Sequence, residues 1–139
     1  MKRMFAMLMG TAALVLSAPA APAVANADGP VRAVVADPHG CPKGNFCFWA
    51  NPNFHDGPGK VTDDNEDFRQ LRHSTCRTAT WDNCISSIVN NGRYCTVYMF
   101  SGLNYGGSWH SLGVGDEKSD LSQWTFNDAI SSNRWCERP

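Results

Sequence analysis

Short apolar runs separated by polar turns form the main pattern along this chain. NFCFW at 45–49 and CTVYMF at 95–100 are rich in aromatic and β-branched residues and end at turn-forming residues. GSWHSL at 107–112 alternates large apolar with small or polar residues, and ISSIV at 85–89 is another short run. These runs predict β-strands at regular spacing, which is typical of an all-β sandwich.

Helical periodicity is limited to two short segments. EDFRQL at 66–71 and KSDLSQW at 118–124 each predict a single helical turn. The many Gly and Asn residues between the apolar runs favour hairpins and loops instead. Residues 28–40 contain two prolines and two glycines without periodicity, so we predict an irregular N-terminal arm before a folded domain at 41–139.

The chain also repeats itself, with about 45 residues in each unit. Phe48-Trp49 aligns with Met99-Phe100, and five residues later come Phe54 and Tyr105, each preceded by Asn. Repeat one spans about 44–91 and repeat two about 94–136. The economical architecture is two Greek-key motifs packed face to face. We expect the core and corners to use Trp49, Phe54, Trp81, Phe100, Tyr105, Trp109 and Phe126.

Each repeat ends on a similar polar hexapeptide. It reads Asp82-Asn83-Cys84-Ile85-Ser86-Ser87 in the first repeat and Asn127-Asp128-Ala129-Ile130-Ser131-Ser132 in the second. Together with the preceding aromatic, Asn and Gly positions, this pattern resembles the βγ-crystallin family, whose fold is a double Greek-key β-sandwich. In the calcium-binding members of that family, the hexapeptide is the calcium signature.

The resemblance implies two calcium sites, each shared between the repeats. The implied side-chain ligands are Asp82, Asn83, Ser86, Asn127, Asp128 and Ser131, with backbone carbonyls near Ala50 and Ser101. Calcium takes six to eight oxygen ligands, and each hexapeptide has one acid, so we expect weak to moderate affinity. The alternative is structural, because Asn, Asp and Ser also satisfy their own backbone in tight turns.

The N-terminus has the layout of a secretory signal peptide. Lys2 and Arg3 precede an apolar stretch and an Ala/Pro-rich run, and cleavage is possible after Ala25 or Ala27. We favour residues 1–27 as the signal peptide and a secreted, extracellular product. A membrane anchor is the alternative, but the stretch is broken by prolines and is shorter than the roughly 20 apolar residues that a spanning helix needs.

Six cysteines in a small exported chain indicate disulfides. Six cysteines allow fifteen full pairings, and the sequence alone does not choose among them. We favour two local bridges and one that ties the second half to the chain end: Cys41–Cys47, Cys76–Cys84 and Cys95–Cys136. Zinc ligation with His39, His55, His73 and His110 is the alternative, although the chain has no paired C-x-x-C motif.

Charge and motifs exclude several functional classes. Removal of Lys2 and Arg3 with the leader leaves ten basic and thirteen acidic residues, a net charge of −3 without a basic stripe. Nucleic-acid binding therefore has no electrostatic support. The sequence contains no Gly-x-Ser-x-Gly, His-Glu-x-x-His or phosphate-binding glycine loop, so we predict a protein without enzymatic activity.

The opening CPKGNFCFWANPNF, the leader, and TWDN before Cys84 resemble a family of secreted actinobacterial metalloproteinase inhibitors with the βγ-crystallin fold. This resemblance implies a secreted, monomeric peptidase inhibitor that blocks a metalloproteinase by occlusion with a surface loop. A candidate loop is 57–76, which is longer than its counterpart and carries Lys60, Arg69, Arg72 and His73. The alternative function is a secreted calcium-binding module without inhibitory activity.

Overall fold

The computed structural model of the chain describes residues 37–137. The predicted signal peptide at 1–27 and residues 28–36 of the predicted arm lie outside this range. Within it, the chain forms seven strands and no α-helix, only short 3-10 turns. The strands are β1 Asn45–Trp49, β2 Gly59–Val61, β3 Ser87–Asn91, β4 Val97–Phe100, β5 Trp109–Leu112, β6 Glu117–Lys118 and β7 Ser132–Trp135. The 3-10 turns are Pro38–Gly40, Pro52–Phe54, Phe68–Gln70, Leu103–Tyr105 and Leu121–Trp124.

The strands build two antiparallel sheets, with the orders β2-β1-β3-β6 and β5-β4-β7. Strand β6 comes from the second half of the chain but pairs with β3 of the first half. In the opposite direction, Asn65 of the first half forms an isolated bridge with Asn133 of β7. Each half therefore contributes a short strand or bridge to the sheet of the other half. This exchange confirms the predicted double Greek-key sandwich.

The hydrophobic pattern of each strand follows from what covers its faces. Strand β1 is a continuous apolar run because both of its faces are buried. Phe46 and Phe48 point into the core between the sheets, whereas Cys47 and Trp49 form a second cluster on the other face. Residues 37–41 help to cover that face, where the His39 ring stacks on Phe54 at 3.6 Å between centroids.

Strand β5 shows the opposite pattern, and it corrects one core prediction. Trp109 is 38% exposed, on the edge strand of the second sheet beside Tyr98. Its register partner Phe100 lies on the central strand β4 of the same sheet and is only 2% exposed, so the edge position of β5 accounts for the exposure of Trp109. The predicted single helical turns, in contrast, are present as the 3-10 turns Phe68–Gln70 and Leu121–Trp124.

The last serine of each hexapeptide locks a strained hairpin corner. Phe54 and Tyr105 have left-handed backbone, with φ of 62° and 60°, a region that costs non-glycine residues about 1–2 kcal/mol. The Ser87 hydroxyl accepts from the Phe54 N–H at 3.1 Å and donates to the Asn51 carbonyl at 2.8 Å. Ser132 makes the same pair of bonds, to the Tyr105 N–H at 3.1 Å and the Gly102 carbonyl at 2.6 Å.

We predict that Ser87→Ala and Ser132→Ala each destabilise the fold by about 1–3 kcal/mol, because each leaves a backbone donor and acceptor unpaired beside a fully buried side chain. Because the two corners share no partner, the double variant should be additive within about 0.5 kcal/mol. Denaturant unfolding measures these values, with the exposed Ser108→Ala as control. Losses no larger than that of the control would contradict this role for the serines.

Candidate functional site

The two hexapeptides lie against each other where the halves of the chain meet. The Asn83 N–H donates to the Ile130 carbonyl at 3.0 Å, and the Asp128 N–H donates to the Ile85 carbonyl at 3.0 Å. Asn83 and Asp128 both have left-handed backbone, with φ of 54° and 51°, which Asn and Asp tolerate better than most residues. The polar residue at the second position of each motif therefore has a structural role in the turn, whether or not a ligand binds.

One half of this junction brings together oxygens from both repeats. The Ser86 hydroxyl and Asp128 Oδ1 are 3.5 Å apart, and Asp128 Oδ2 accepts from the Asn127 amide at 2.8 Å. Burial raises the pKa of the Asp128 carboxyl above its ordinary value, and the Ser86 hydroxyl partly opposes this shift. Ala50, Asn83 and Asp128 line one open cavity of about 500 Å³.

The other half is arranged differently. Asp82 Oδ2 accepts from the Asn83 amide at 3.0 Å, which pairs neighbours within one motif. Asp82 Oδ1 is buried and has no hydrogen-bond partner among residues 37–137. Ser131 is buried, and the Ser101 hydroxyl accepts from the Ser108 N–H at 3.0 Å. The carboxylate at the second motif position thus exists only on the Asp128 side, since the equivalent residue here is Asn83.

The Asp128 side has oxygens that fit a hard cation such as calcium. Two oxygens that each bind calcium at 2.3–2.6 Å lie roughly 3–4 Å apart, and Asp128 Oδ1 and the Ser86 hydroxyl have that spacing. Ala50 and Asn83 border the same cavity, where a backbone carbonyl and an amide oxygen could complete part of the ligand set. Within residues 37–137, no cluster of three or more His, Cys, Asp or Glu side chains is placed to hold a metal.

The cysteines are all used in disulfides, which rules out the zinc alternative built on thiolate ligands. The bridges are Cys41–Cys47, Cys76–Cys84 and Cys95–Cys136, the pairing that the sequence analysis favours. Cys84 occupies a spacer position of the first hexapeptide, so the bridge to Cys76 joins that motif to the preceding loop.

That loop is the main difference between the two repeats. The Phe68 N–H donates to the Ser131 carbonyl, and the Leu121 N–H donates to the Ser86 carbonyl, so Phe68 and Leu121 are equivalent. Twelve residues then separate Phe68 from Trp81, whereas four separate Leu121 from Phe126. The candidate loop at 57–76 therefore contains only part of the insertion, because the segment up to Gln70 has a counterpart and the extra residues continue to Thr80.

We call this insertion loop 72–80. Its base is closed by a bridge between Arg72 and Thr80. The His73 N–H donates to the Ala79 carbonyl at 3.2 Å, and the Ala79 N–H donates to the Cys76 carbonyl at 2.8 Å. The Cys76 side chain is buried and disulfide-bonded, whereas its neighbours Thr75 and Arg77 are exposed. Of the basic residues predicted for the loop, Arg72 and His73 lie in it, while Lys60 and Arg69 do not.

Comparison with known proteins identifies the family. The model of peptidase inhibitor family I36 matches residues 35–112, more than half of the chain. The chain belongs to peptidase inhibitor family I36. This membership favours an inhibitor-like protein over an enzyme. No curated protein matches the chain significantly, and residues 37–137 include no helix with the length and apolar character needed to cross a membrane.

Several solved structures with the same fold are βγ-crystallins. One, from a study of the evolution of the eye-lens βγ-crystallin domain fold, is 25% identical with a TM-score of 0.56, covering 70% of this chain and 89% of that chain. A βγ-crystallin from an archaeon is 22% identical with a TM-score of 0.51, covering 68% and 99%. A βγ-crystallin from Ciona intestinalis is 16% identical with a TM-score of 0.54, covering 66% and 99%. These likenesses confirm the βγ-crystallin-like fold.

The raised pKa of Asp128 gives a pH prediction. The folded protein holds the Asp128 proton more tightly than the unfolded chain does. The resulting stability is present at acid pH and is lost as the pH rises through the raised pKa. In chelator, Asp128→Asn should therefore gain in melting temperature relative to the wild type as the pH rises from about 3 to about 7.

Asp120→Asn is the matched control for this titration. The hydrogen bond from Ser122 lowers the pKa of Asp120, so its stabilising effect exists at neutral pH and is lost as the pH falls. The difference in melting temperature between Asp120→Asn and the wild type should change with pH in the opposite direction. A pH-independent difference for Asp128→Asn would contradict burial as the cause of its raised pKa.

Proposed function

We propose that this family I36 protein is a secreted inhibitor of metalloproteinases that blocks the peptidase cleft with loop 72–80. The observation that carries this proposal is the exposure of Thr75 and Arg77 on either side of the buried, disulfide-bonded Cys76. A metalloproteinase target is favoured by the resemblance of the CPKGNFCFWANPNF segment to secreted metalloproteinase inhibitors.

A braced loop suits inhibition because binding then costs little conformational entropy. Loop 72–80 is closed by backbone hydrogen bonds at its base and fixed by a disulfide near its centre. Neighbouring exposed segments could complete an interface of roughly 800 Å² per partner, the usual size for peptidase–inhibitor complexes. The inhibitor is proposed to act as a monomer, one copy per peptidase.

Secretion is part of the same proposal. The predicted leader at 1–27 would direct export, and three disulfides fit an oxidising extracellular environment. An extracellular inhibitor also meets its peptidase targets in the compartment where its disulfides persist.

The mature protein should inhibit thermolysin-like metalloproteinases at near-stoichiometric ratios and form a one-to-one complex in light scattering. Arg77→Asp should raise the inhibition constant by about 10–100-fold, since it places a carboxylate in the centre of the interface. Arg93→Asp, the same charge change at an exposed residue outside the loop, is the control and should change it by less than about threefold.

Two results would count against this proposal. Full residual activity of several metalloproteinases at excess inhibitor would reject metalloproteinase inhibition. Equal increases in the inhibition constant for Arg77→Asp and Arg93→Asp would reject loop 72–80 as the segment that enters the cleft.

A second candidate function is calcium binding at the Asp128 side of the hexapeptide junction. The specific support is the pair of oxygens from different repeats, Ser86 Oγ and Asp128 Oδ1, at 3.5 Å. Asp128, Ser86, Asn83 and the Ala50 backbone would hold the ion. The ion would neutralise the Asp128 carboxylate and join the two halves. Asp82, Asn127 and Ser131 are proposed only as supporting residues of the two motifs.

Calcium should raise the melting temperature of the mature protein, because a ligand that binds only the native state stabilises it. At tenfold excess over the dissociation constant the gain is about 1.4 kcal/mol, or several degrees for a domain of this size. Asp128→Asn should abolish the shift, whereas Asp82→Asn should retain it. Identical melting curves in calcium and in chelator would reject occupancy of this site.

A further inference from the structure

Three polar side chains connect loop 72–80 to the hairpin between β1 and β2. Thr75 Oγ1 lies 2.5 Å from Asp56 Oδ2, and His73 Nε2 lies 3.0 Å from Asp56 Oδ1. Thr75 Oγ1 and His73 Nε2 are themselves 2.9 Å apart. Both oxygens of the Asp56 carboxylate are therefore engaged by residues of the loop.

Hydrogen counting fixes the direction of these bonds. The threonine hydroxyl has one proton, and the Asp56 carboxylate can only accept, so this proton goes to Asp56. The short contact between Thr75 and His73 then requires a proton on His73 Nε2, shared between Thr75 Oγ1 and Asp56 Oδ1. The network is complete when His73 carries a proton on Nε2.

Both ends of this network are fixed by the folded domain. The His73 ring stacks on Trp81 with 3.9 Å between centroids and 5° between planes, and buried Trp81 packs edge-on against Phe48 of β1. Asp56 has left-handed backbone, with φ of 61°, and its carbonyl accepts from the Ala50 N–H at 3.0 Å. The loop is thus attached to the aromatic core through His73 and to the first hairpin through Thr75.

The location of the network gives it a consequence for inhibition. Thr75 directly precedes the disulfide-bonded Cys76 and is two residues from exposed Arg77. The disulfide fixes the loop at Cys76, and the bonds to Asp56 add a further point of attachment beside it, which restricts rotation about the disulfide. Hydrogen bonds to an ionised acceptor are the stronger kind.

We propose that Asp56, His73 and Thr75 are positioning residues that hold loop 72–80 in the shape that the peptidase binds and cleaves slowly. This inference rests on the proposed function of the loop. It adds that the affinity of the inhibitor and its resistance to cleavage depend on a carboxylate outside the loop, in the first hairpin.

The test compares Thr75→Val with Thr75→Ser. Valine keeps the shape of threonine and removes the hydroxyl, whereas serine keeps the hydroxyl. Because Thr75 is exposed, both variants should fold with melting temperatures close to that of the wild type. Thr75→Val should raise the inhibition constant toward a thermolysin-like metalloproteinase by about tenfold, and Thr75→Ser should stay within about twofold of the wild type.

A second measurement does not depend on inhibition. Trypsin cleaves after arginine, and the Arg77–Thr78 bond lies in the braced part of the loop. Thr75→Val and Asp56→Ala should both be cut there at least about fivefold faster than the wild type, whereas Thr75→Ser should not. His73→Phe, which keeps an aromatic ring on Trp81 and removes the N–H donor, should also accelerate cleavage.

The two measurements separate the two proposals. A wild-type protein that inhibits no metalloproteinase would reject the proposed function, and faster trypsin cleavage of Thr75→Val would still support the positioning network. Wild-type cleavage rates for Thr75→Val and Asp56→Ala would overturn the network, even if the wild type inhibits strongly.

Discussion

Asn83 and Asp128 each donate a backbone hydrogen bond to the hexapeptide of the other repeat, and the remaining architecture depends on this exchange. Next to these bonds, the backbone carbonyl of Ser86 accepts from the Leu121 N–H, and that of Ser131 accepts from the Phe68 N–H. Leu121 and Phe68 each begin a 3-10 turn of the opposite half. Because these groups are buried or close to buried residues, either half alone would leave several of them unpaired, at about 1–3 kcal/mol each. The chain thus contains the polar hexapeptide twice because each copy satisfies backbone hydrogen-bonding groups of the other.

Most of the fold could be predicted from local pattern. The apolar run at 45–49 and the alternation at 107–112 indicate strands directly, and the repeat of Asn-Phe and Asn-Tyr corners indicates two equivalent hairpins. The prediction of Trp109 as a core or corner residue is wrong because an aromatic residue in an alternating strand can face either the core or the outer surface. What decides its burial is the position of its strand in the folded sheet. Phe100 on the central strand β4 is buried, whereas its partner Trp109 lies on the edge strand β5 and is 38% exposed.

The candidate site was less predictable, for a different physical reason. The hexapeptides give the identities of the oxygens but not their distances, which depend on how two segments 45 residues apart pack. Ser86 and Asp128 come from different repeats and lie close together, whereas Asp82 accepts from its own neighbour Asn83. This difference between the two halves of the junction is a result of tertiary structure. The bounds of loop 72–80 were equally hidden, because only the equivalence of Phe68 and Leu121 shows where the extra residues begin. The Asp56–Thr75–His73 network has no sequence signal, since a single Asp after a hairpin turn is ordinary.

Loop 72–80 and the hexapeptide junction are neighbours, so the proposed inhibition and the proposed cation binding would be connected. Asp56, Thr75 and Arg77 line the same cavity as Asn83, Cys84 and Asp128. The Cys76–Cys84 bridge links the centre of the loop directly to the first motif. A cation beside Asp128 would change the charge of the cavity that Arg77 also lines, and it would restrain the backbone of Asn83, next to the disulfide-bonded Cys84. Any such coupling must be reciprocal, so an ion that favours the inhibitory shape of the loop would bind more tightly when the peptidase is bound. In this arrangement the crystallin scaffold serves as the rigid support from which one repeat presents an added, disulfide-anchored loop.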